Sequence, residues 1–325
     1  MGDGPLNRVF LGLESGGTKL CASLCDEAER SLGYLAVRRP ENASAEDTLG
    51  ALISLGRRLW RDSGLGDAAP AGVGWGFGGL VDREKNRPVV NYHEEGWDRI
   101  EAIERLGEAL GAPVAVENDC KLAGLAEAHH GAGSTRGLMI YLTLGSGIGG
   151  SLIWNGEILA AGRYGEMEIG HIEVVPGGAP CPCGRRGCLE AYCSGWGLGE
   201  RARERAADHA AESALAREIL ACPPQDRAKA LLARWPDDPF ARGVAADLIE
   251  KLSSVCAQLI PMLSPGRLVI GGGLSRAAGL VAAVGAAAGA RLPERMRGQT
   301  IFGGGKLDEA AVSFGAAMYA RRKAG

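Results

Sequence analysis

Apolar residues run in short blocks along the chain, and many of the blocks end in glycine. Residues 8–26 read as strand, turn, strand: VFLGLE, SGGTK, LCASLCD, two aliphatic runs about a turn that needs glycine's freedom at positive φ. Residues 36–39 suggest a third strand. Between Ser44 and Ser63, the positions of Leu49, Leu52, Ile53, Leu55, Leu59 and Trp60 predict an amphipathic helix. The run AGVGWGFGGL at 71–80 predicts a strand entering a glycine turn, and 98–110 a second helix. A short strand at 114–116 ends in Glu117-Asn118-Asp119, and a helix follows over 120–130.

Residues 137–156 then repeat the opening: LMIYLTL, GSGIGG, SLIWNG. The two segments read as copies of one strand–glycine turn–strand unit, one opening each half of the chain. Residues 201–258 are helical in pattern, broken at Pro223-Pro224 and Pro236. A strand at 267–270 feeds Gly271-Gly272-Gly273, with a helix after it, and 309–322 is the last helix. The uncharged apolar run 277–290 is too short to cross a bilayer and reads as a buried helix. Alternating strands and helices place the chain in the α/β class.

At 325 residues there is enough chain for two domains with large cores. A net charge of −3 gives no field that would gather nucleic acid or an anionic membrane. Three of the nine cysteines share one window and the rest are scattered singly, which argues for a reducing cytoplasm and against a disulfide framework. MGDGPLNRVF has no basic stretch followed by an apolar one, so no signal peptide is expected.

The richest window is EMEIGHIEVVPGGAPCPCGRRGCLE, residues 166–190. His171, Cys181, Cys183 and Cys188 offer a nitrogen and three sulfurs, a donor set that suits tetrahedral Zn²⁺. Pro180, Pro182, Gly184 and Gly187 oppose helix or regular strand and favour a knuckle. Four protein ligands leave no open position, so such a zinc is structural, one per chain. Cys193 is a candidate substitute ligand, and the bland alternative is buried thiols beside a surface histidine. A metal that fixed this loop would also fix Glu168 and Glu190.

Three glycine turns follow strands: Ser15–Thr18, Gly145–Gly150 and Gly271–Gly273. Backbone N–H groups in such turns form nests for anions, and three together favour a nucleotide with several phosphates over plain hairpins. The turn at 12–19 has Thr-Lys where a P-loop has Lys-Thr, and the G-x-G-x-x-G matches at 74–79 and 145–150 lack the helix that a dinucleotide fingerprint needs. Glu14 is either a water-mediated Mg²⁺ contact or a solvated turn residue. Lys19 either meets phosphate or is simply exposed. Asp119, at a strand end, is either a helix cap or a catalytic carboxylate. Phosphoryl transfer needs phosphates held in line, a cation and a base near the attacking hydroxyl, and Asp119 could be that base. Glu168 and Glu190 could hold sugar hydroxyls by charge-assisted hydrogen bonds. His129 and His130 read as surface residues.

Taken together, ENDCKLAGLAEAHHGAG, LTLGSGIGG, EIGH with CPCGRRGCLE, and LVIGGGLS make the chain resemble the ROK family of sugar kinases and related repressors, within the sugar kinase/Hsc70/actin superfamily. The resemblance implies two actin-like (ribonuclease H-like) α/β domains flanking a cleft, with a structural zinc loop. Residues 1–118 plus 308–325 would form the smaller domain and 119–307 the larger. It implies a cytoplasmic, ATP-dependent hexose kinase, glucokinase-like, that phosphorylates the 6-hydroxyl of glucose, with Mg²⁺ and a structural Zn²⁺. Asp119 would be the general base. Gly78, Gly79, Asn118, Asp119, Glu168, His171 and Glu190 would bind the sugar. Glu14, Ser15, Gly16, Gly17, Thr18 and Lys19, with Thr143, Gly145, Ser146 and Gly147, would cradle phosphates, and Gly271, Gly272 and Gly273 would lie by the adenosine. His171, Cys181, Cys183 and Cys188 would hold zinc.

The chain departs from the family pattern at Glu14, where Asp is usual, at Lys121, where Asn is frequent, at Met167, where a small residue is common, and in the acidic loop NYHEEGW at 91–97. These bear on which hexose is used: an N-acetylmannosamine or N-acetylglucosamine kinase and a fructokinase are the alternatives, and a catalytically idle sugar sensor is a third. With the first strand near Arg8, no winged helix is expected and hence no DNA binding. The family also suggests a homodimer.

Overall fold

The computed structural model describes residues 8–40, 43–91 and 94–324. The chain divides into two compact units, one of residues 1–130, 158–166 and 309–325, the other of residues 131–157 and 167–308. The first contains β1 (Phe10–Ser15), β2 (Lys19–Cys25), β3 (Ser31–Arg38), α1 (Ala45–Asp62), β4 (Gly72–Phe77), the hairpin β5 (Leu80–Asp82) and β6 (Arg87–Val90), α2 (Ala102–Leu110), β7 (Val114–Asn118) and α3 (Asp119–His130). In the second part of the chain come β8 (Leu138–Leu144), β9 (Ile148–Trp154), β10 (Glu157–Ile158), α4 (Glu190–Cys193), α5 (Gly195–His209), α6 (Ala214–Ala221), α7 (Arg227–Ala233), α8 (Pro239–Leu263), β11 (Arg267–Gly271), α9 (Leu280–Arg291) and β12 (Ile301–Gly304). The last helix, α10 (Ala311–Lys323), returns to the first unit.

The duplication read from the glycine turns is present in the sheets. One has the order β3-β2-β1-β4-β7 and the other β10-β9-β8-β11-β12. In each, an antiparallel hairpin leads into parallel neighbours: β1 pairs antiparallel with β2 and parallel with β4, and β8 pairs antiparallel with β9 and parallel with β11. This is the architecture expected of actin-like α/β domains. Helix α1 starts as its sequence predicts, with Ser44 accepting from Asp47 N and Asp47 accepting from Ser44 N, a reciprocal capping box.

Several expectations change on contact with the structure. β3 begins at Ser31, not at residue 36; it is an edge strand with Leu32 and Tyr34 exposed, so its apolar residues do not mark a buried face. α2 begins at Ala102 because residues 97–99 form a separate 3₁₀ turn. The run 277–290 is not a buried helix: α9 buries only Leu280, Val284 and Ala288, one i, i+4 stripe, and its alanines carry too little surface to demand more. α3 lies within the first compact unit, whose boundary falls after His130 and which also takes in residues 158–166. Of the loop 91–97, residues 92 and 93 lie outside the described residues. Among the described residues no helix is long and apolar enough to cross a membrane.

Helix α10 sits directly on the first sheet. A methyl group at Gly12 would overlap the Ser313 carbonyl oxygen, and one at Gly74 the Ala316 carbonyl oxygen. Neither backbone group can yield without moving the helix. Gly74→Ala is therefore expected to cost about 3 kcal/mol or more, as overpacking against rigid backbone does. Gly50→Ala, at an exposed α1 position with nothing within 4 Å, is expected to add up to about 1 kcal/mol through helix propensity. Denaturant unfolding of the two variants checks both signs.

Candidate functional site

In the first unit the parallel register sets Ser15, Phe77 and Asn118 in one row, at the carboxyl ends of β1, β4 and β7. Ligands of open α/β sheets gather at such ends. The segments expected to be functional converge there: Glu14-Ser15, Gly78-Gly79 and Asn118-Asp119. A Cβ at Gly78 would lie 3.5 Å from both Asp119 Oδ2 and Ser15 O, so the bare backbone leaves room beside the carboxylate.

Asp119 opens α3 and its Oδ1 accepts from Cys120 N at 2.7 Å. Asn118 Oδ1 accepts from Cys120 N (3.1 Å) and Lys121 N (3.3 Å), while its Nδ2 donates to Gly79 O (3.1 Å). Asn118 is thus a helix cap that also ties down the Gly79 turn. With the capping shared, Asp119 Oδ2 is the oxygen that points toward Gly78.

Glu14 is the unusual group. Its Oε2 is shut off from solvent and has no hydrogen-bond partner among the described residues. Burial, and then the charge of Asp119, push its carboxyl up to about 8. Such an orphaned carboxylate oxygen fits a cation better than it fits a solvated turn. Ser15 turns inward instead: its hydroxyl donates to Gly76 O (3.4 Å) and accepts from Trp75 Nε1 (3.1 Å). Gly17 and Thr18 are exposed, and Gly16 N donates to Lys19 O at 3.1 Å to close the turn. Lys19 is paired with Glu309 at 2.6 Å, a partner 290 residues away in sequence that no local pattern points to.

In the second unit, Thr143 and Gly271 are paired at the carboxyl ends of β8 and β11. Gly145 N donates to Gly147 O at 3.1 Å, and Ser146 is exposed at the tip of that turn. Gly272, at φ +86°, leaves no room for a side chain against the Leu144 backbone, and Gly273 opens a 3₁₀ turn with nothing near its Cβ position. Glu190, at the start of α4, is buried and accepts from Ile148 N at 2.8 Å. One of its oxygens thus braces the Gly145–Gly150 turn.

Glu168 caps the 3₁₀ turn 169–171 and is exposed; its carbonyl accepts from His171 N at 3.1 Å. The ligand atoms of His171, Cys181, Cys183 and Cys188 all lie within 4.8 Å of one another. Cys181 Sγ is 3.6 Å from His171 Nδ1, and Cys183 Sγ is 3.8 Å from Cys188 Sγ. A zinc tetrahedron with bonds of about 2.3 Å to sulfur and about 2.05 Å to nitrogen has edges of about 3.8 and 3.6 Å, so the donors fit the ion. Knuckle hydrogen bonds hold them, with Cys181 N donating to Arg185 O and Gly187 N to Ala179 O. Cys193 is not a substitute ligand: it is buried and directs its thiol at Leu248 O.

Of the two histidines expected at the surface, His130 is exposed and His129 is half-buried. His129 Nε2 is 3.0 Å from Arg322, and His130 packs edge-on against Phe314 beside Glu29. Sequence reasoning also missed Arg83, Glu117 and Glu166, which form a largely buried ion bridge next to the Asn118-Asp119 pair. Separations of 34 and 83 residues carry no signal in one sequence.

A family model described as the ROK family matches residues 10–323. A glucokinase from Halalkalibacterium halodurans is 36% identical over 209 residues, 63% of this chain and 62% of that protein. A glucokinase from Thermotoga maritima is 31% identical over 273 residues, 82% of this chain and 83% of that one. An N-acetyl-D-glucosamine kinase from Mannheimia succiniciproducens is 29% identical over 283 residues, 82% and 84% of the two chains. The crystal structure of a ROK family glucokinase from Streptomyces griseus in complex with glucose and AMPPNP matches with a TM-score of 0.81 at 27% identity, over 97% of this chain and 99% of that one.

Proposed function

The chain belongs to the ROK family, and on that premise we propose that it is a cytoplasmic, ATP-dependent hexose kinase that transfers the γ-phosphoryl group of ATP to the 6-hydroxyl of glucose. The observation that carries this reading is the Asp119 carboxylate at the shared carboxyl ends of β1, β4 and β7, with Gly78 bare beside it.

Asp119 takes the proton from the 6-hydroxyl as that oxygen attacks the γ-phosphorus, and ADP leaves. A positioned base of this kind contributes about 10²–10⁴ in rate. Gly78, Gly79 and Asn118 lie next to Asp119 and hold the sugar with it. Glu168, His171 and Glu190 contribute from the zinc loop; His171 would give Nδ1 to the metal and keep its other ring nitrogen for the ligand side. The Glu14–Lys19 and Thr143–Gly147 turns offer backbone N–H groups to the phosphates, and Gly271–Gly273 offer a close backbone approach to the adenosine. Glu14 is the carboxylate that would hold Mg²⁺, directly or through water. When bound, that ion neutralises charge on the β- and γ-phosphoryl oxygens. His171, Cys181, Cys183 and Cys188 would hold a zinc that orders the loop and takes no part in the transfer.

The test is ADP release with Mg-ATP over glucose, N-acetylglucosamine, N-acetylmannosamine, mannose and fructose. Glucose is expected to give the highest kcat/KM by at least about tenfold, a difference of ~1.4 kcal/mol in transition-state binding. Preference for an acetylated sugar or fructose would keep the chemistry and replace the substrate. ATP and sugar bound without ADP release would put a sensor in place of an enzyme.

A further inference from the structure

We propose that Arg83 is a positioning residue for the hexose, a clamp that fixes the peptide from which the chain enters the Glu168–His171 turn. The inference rests on the sugar-binding reading of Asn118, Asp119 and Glu168.

Arg83 follows directly on β5. Its Nε donates to Glu117 Oε2 at 2.7 Å, and its Nη1 and Nη2 donate to the two oxygens of Glu166 at 2.7 and 3.2 Å. The three side chains are 12%, 2% and 12% exposed, so water does little to screen them. Each carboxylate lies within two residues, along the chain, of a residue of the proposed sugar site. Glu117 precedes Asn118-Asp119, and its Oε1 accepts from Asn118 N at 2.8 Å. Glu166 precedes Met167-Glu168. The guanidinium therefore holds two acids, one next to Asn118 in the chain and one two residues before Glu168.

The rest of the segment 162–166 is held in the same way. Arg83 N donates to Arg163 O at 2.9 Å, and Arg163 pairs with Asp82 at 2.7 Å. Gly165, at φ +93°, lies against Lys121, whose Cε would be 3.2 Å from a Cβ there, with Arg83 Cζ at 3.9 Å. Met167 then takes φ +60°, a left-handed conformation that costs a side-chain-bearing residue energy. Strain at that residue persists only if its surroundings over-determine it, and the doubly bridged Glu166 on its N-terminal side is one such determinant. A purely architectural ion pair needs neither the two-carboxylate fork nor a bond from one of its acids to the Asn118 N–H.

Arg83→Lys tests this, because lysine keeps the charge but cannot make the planar, bidentate fork. KM for hexose is expected to rise roughly ten- to a hundredfold, as a displacement of about 1 Å at a binding group can cost, with KM for ATP and zinc content as in the wild type. Glu166→Gln, which removes one arm without emptying the site, should move KM for hexose the same way. The double variant should be no worse than the worse single one. Unchanged hexose KM in both single variants overturns the proposal. So does a parallel loss of thermal stability, kcat and both KM values, the signature of general damage. A wild-type protein that binds none of the hexoses calorimetrically would remove the premise, and the clamp with it.

Discussion

Asp119→Asn is expected to lower kcat for hexose phosphorylation by about two to four orders of magnitude, while hexose binding and the folded state persist. The substitution is close to isosteric, and the asparagine oxygen can still accept from Cys120 N, the bond that Asp119 Oδ1 accepts at 2.7 Å. Asn118 caps the same turn through Cys120 N and Lys121 N, so the start of α3 does not depend on the charge. What disappears is a carboxylate oxygen able to take a proton. A second readout is independent of turnover. The charge of Asp119 helps to raise Glu14, so in the variant the Glu14 carboxyl should titrate lower, below its value of about 8. ADP release, calorimetric hexose binding and carboxyl titration by NMR separate these effects. Turnover near wild type would remove Asp119 from the role of base.

The sequence carried much of this site, for reasons that can be named. Local pattern is legible: the helix expected between Ser44 and Ser63 forms over Ala45–Asp62, and the strand–glycine turn–strand copies at residues 10–25 and 138–154 differ little in form. The metal donors sit within eighteen residues, 171 to 188, and a donor set so compact needs no tertiary information. What was not legible depends on partners brought from afar. Lys19 meets Glu309, Glu190 meets Ile148 N, and Arg83 meets Glu117 and Glu166. The edge strand β3 and the β5–β6 hairpin have no clean alternation, since an edge strand needs no continuous apolar face. Met167 is an intermediate case. Its size at a position where the family favours a small residue was visible, but the positive φ that makes the choice costly was not.

Loss of the metal is expected to be as damaging as loss of the base, by a different route. One Zn²⁺ per chain should be found in dialysed protein, and Cys183→Ser or prolonged chelation should remove it, with hexose KM raised at least about a hundredfold and the midpoint of thermal unfolding lowered by several degrees. Backbone hydrogen bonds brace the loop at several points, among them Cys181 N to Arg185 O, Gly184 N to Cys181 O, Val174 N to Gly187 O and Leu189 N to Ile172 O. The metal's part is therefore to hold the four donor side chains together, and two of the donor residues, Cys181 and Cys188, are buried. Without a cation those donors resist ionising: burial holds the Cys181 thiol up at about 12 and raises Cys188 as well. A coordinating thiol must be deprotonated, so each ion bound displaces protons. The sign follows: apparent zinc affinity falls as pH falls, and metal should leave progressively in mild acid while remaining bound at neutral pH. Glu168 and Glu190 flank the metal donors in sequence, so metal loss should be read first in hexose KM and only later in unfolding. Metal content by mass spectrometry, measured beside hexose KM across pH 5–8, checks the order. Full hexose affinity in protein shown to be free of zinc would mean that the loop holds its acids without the ion.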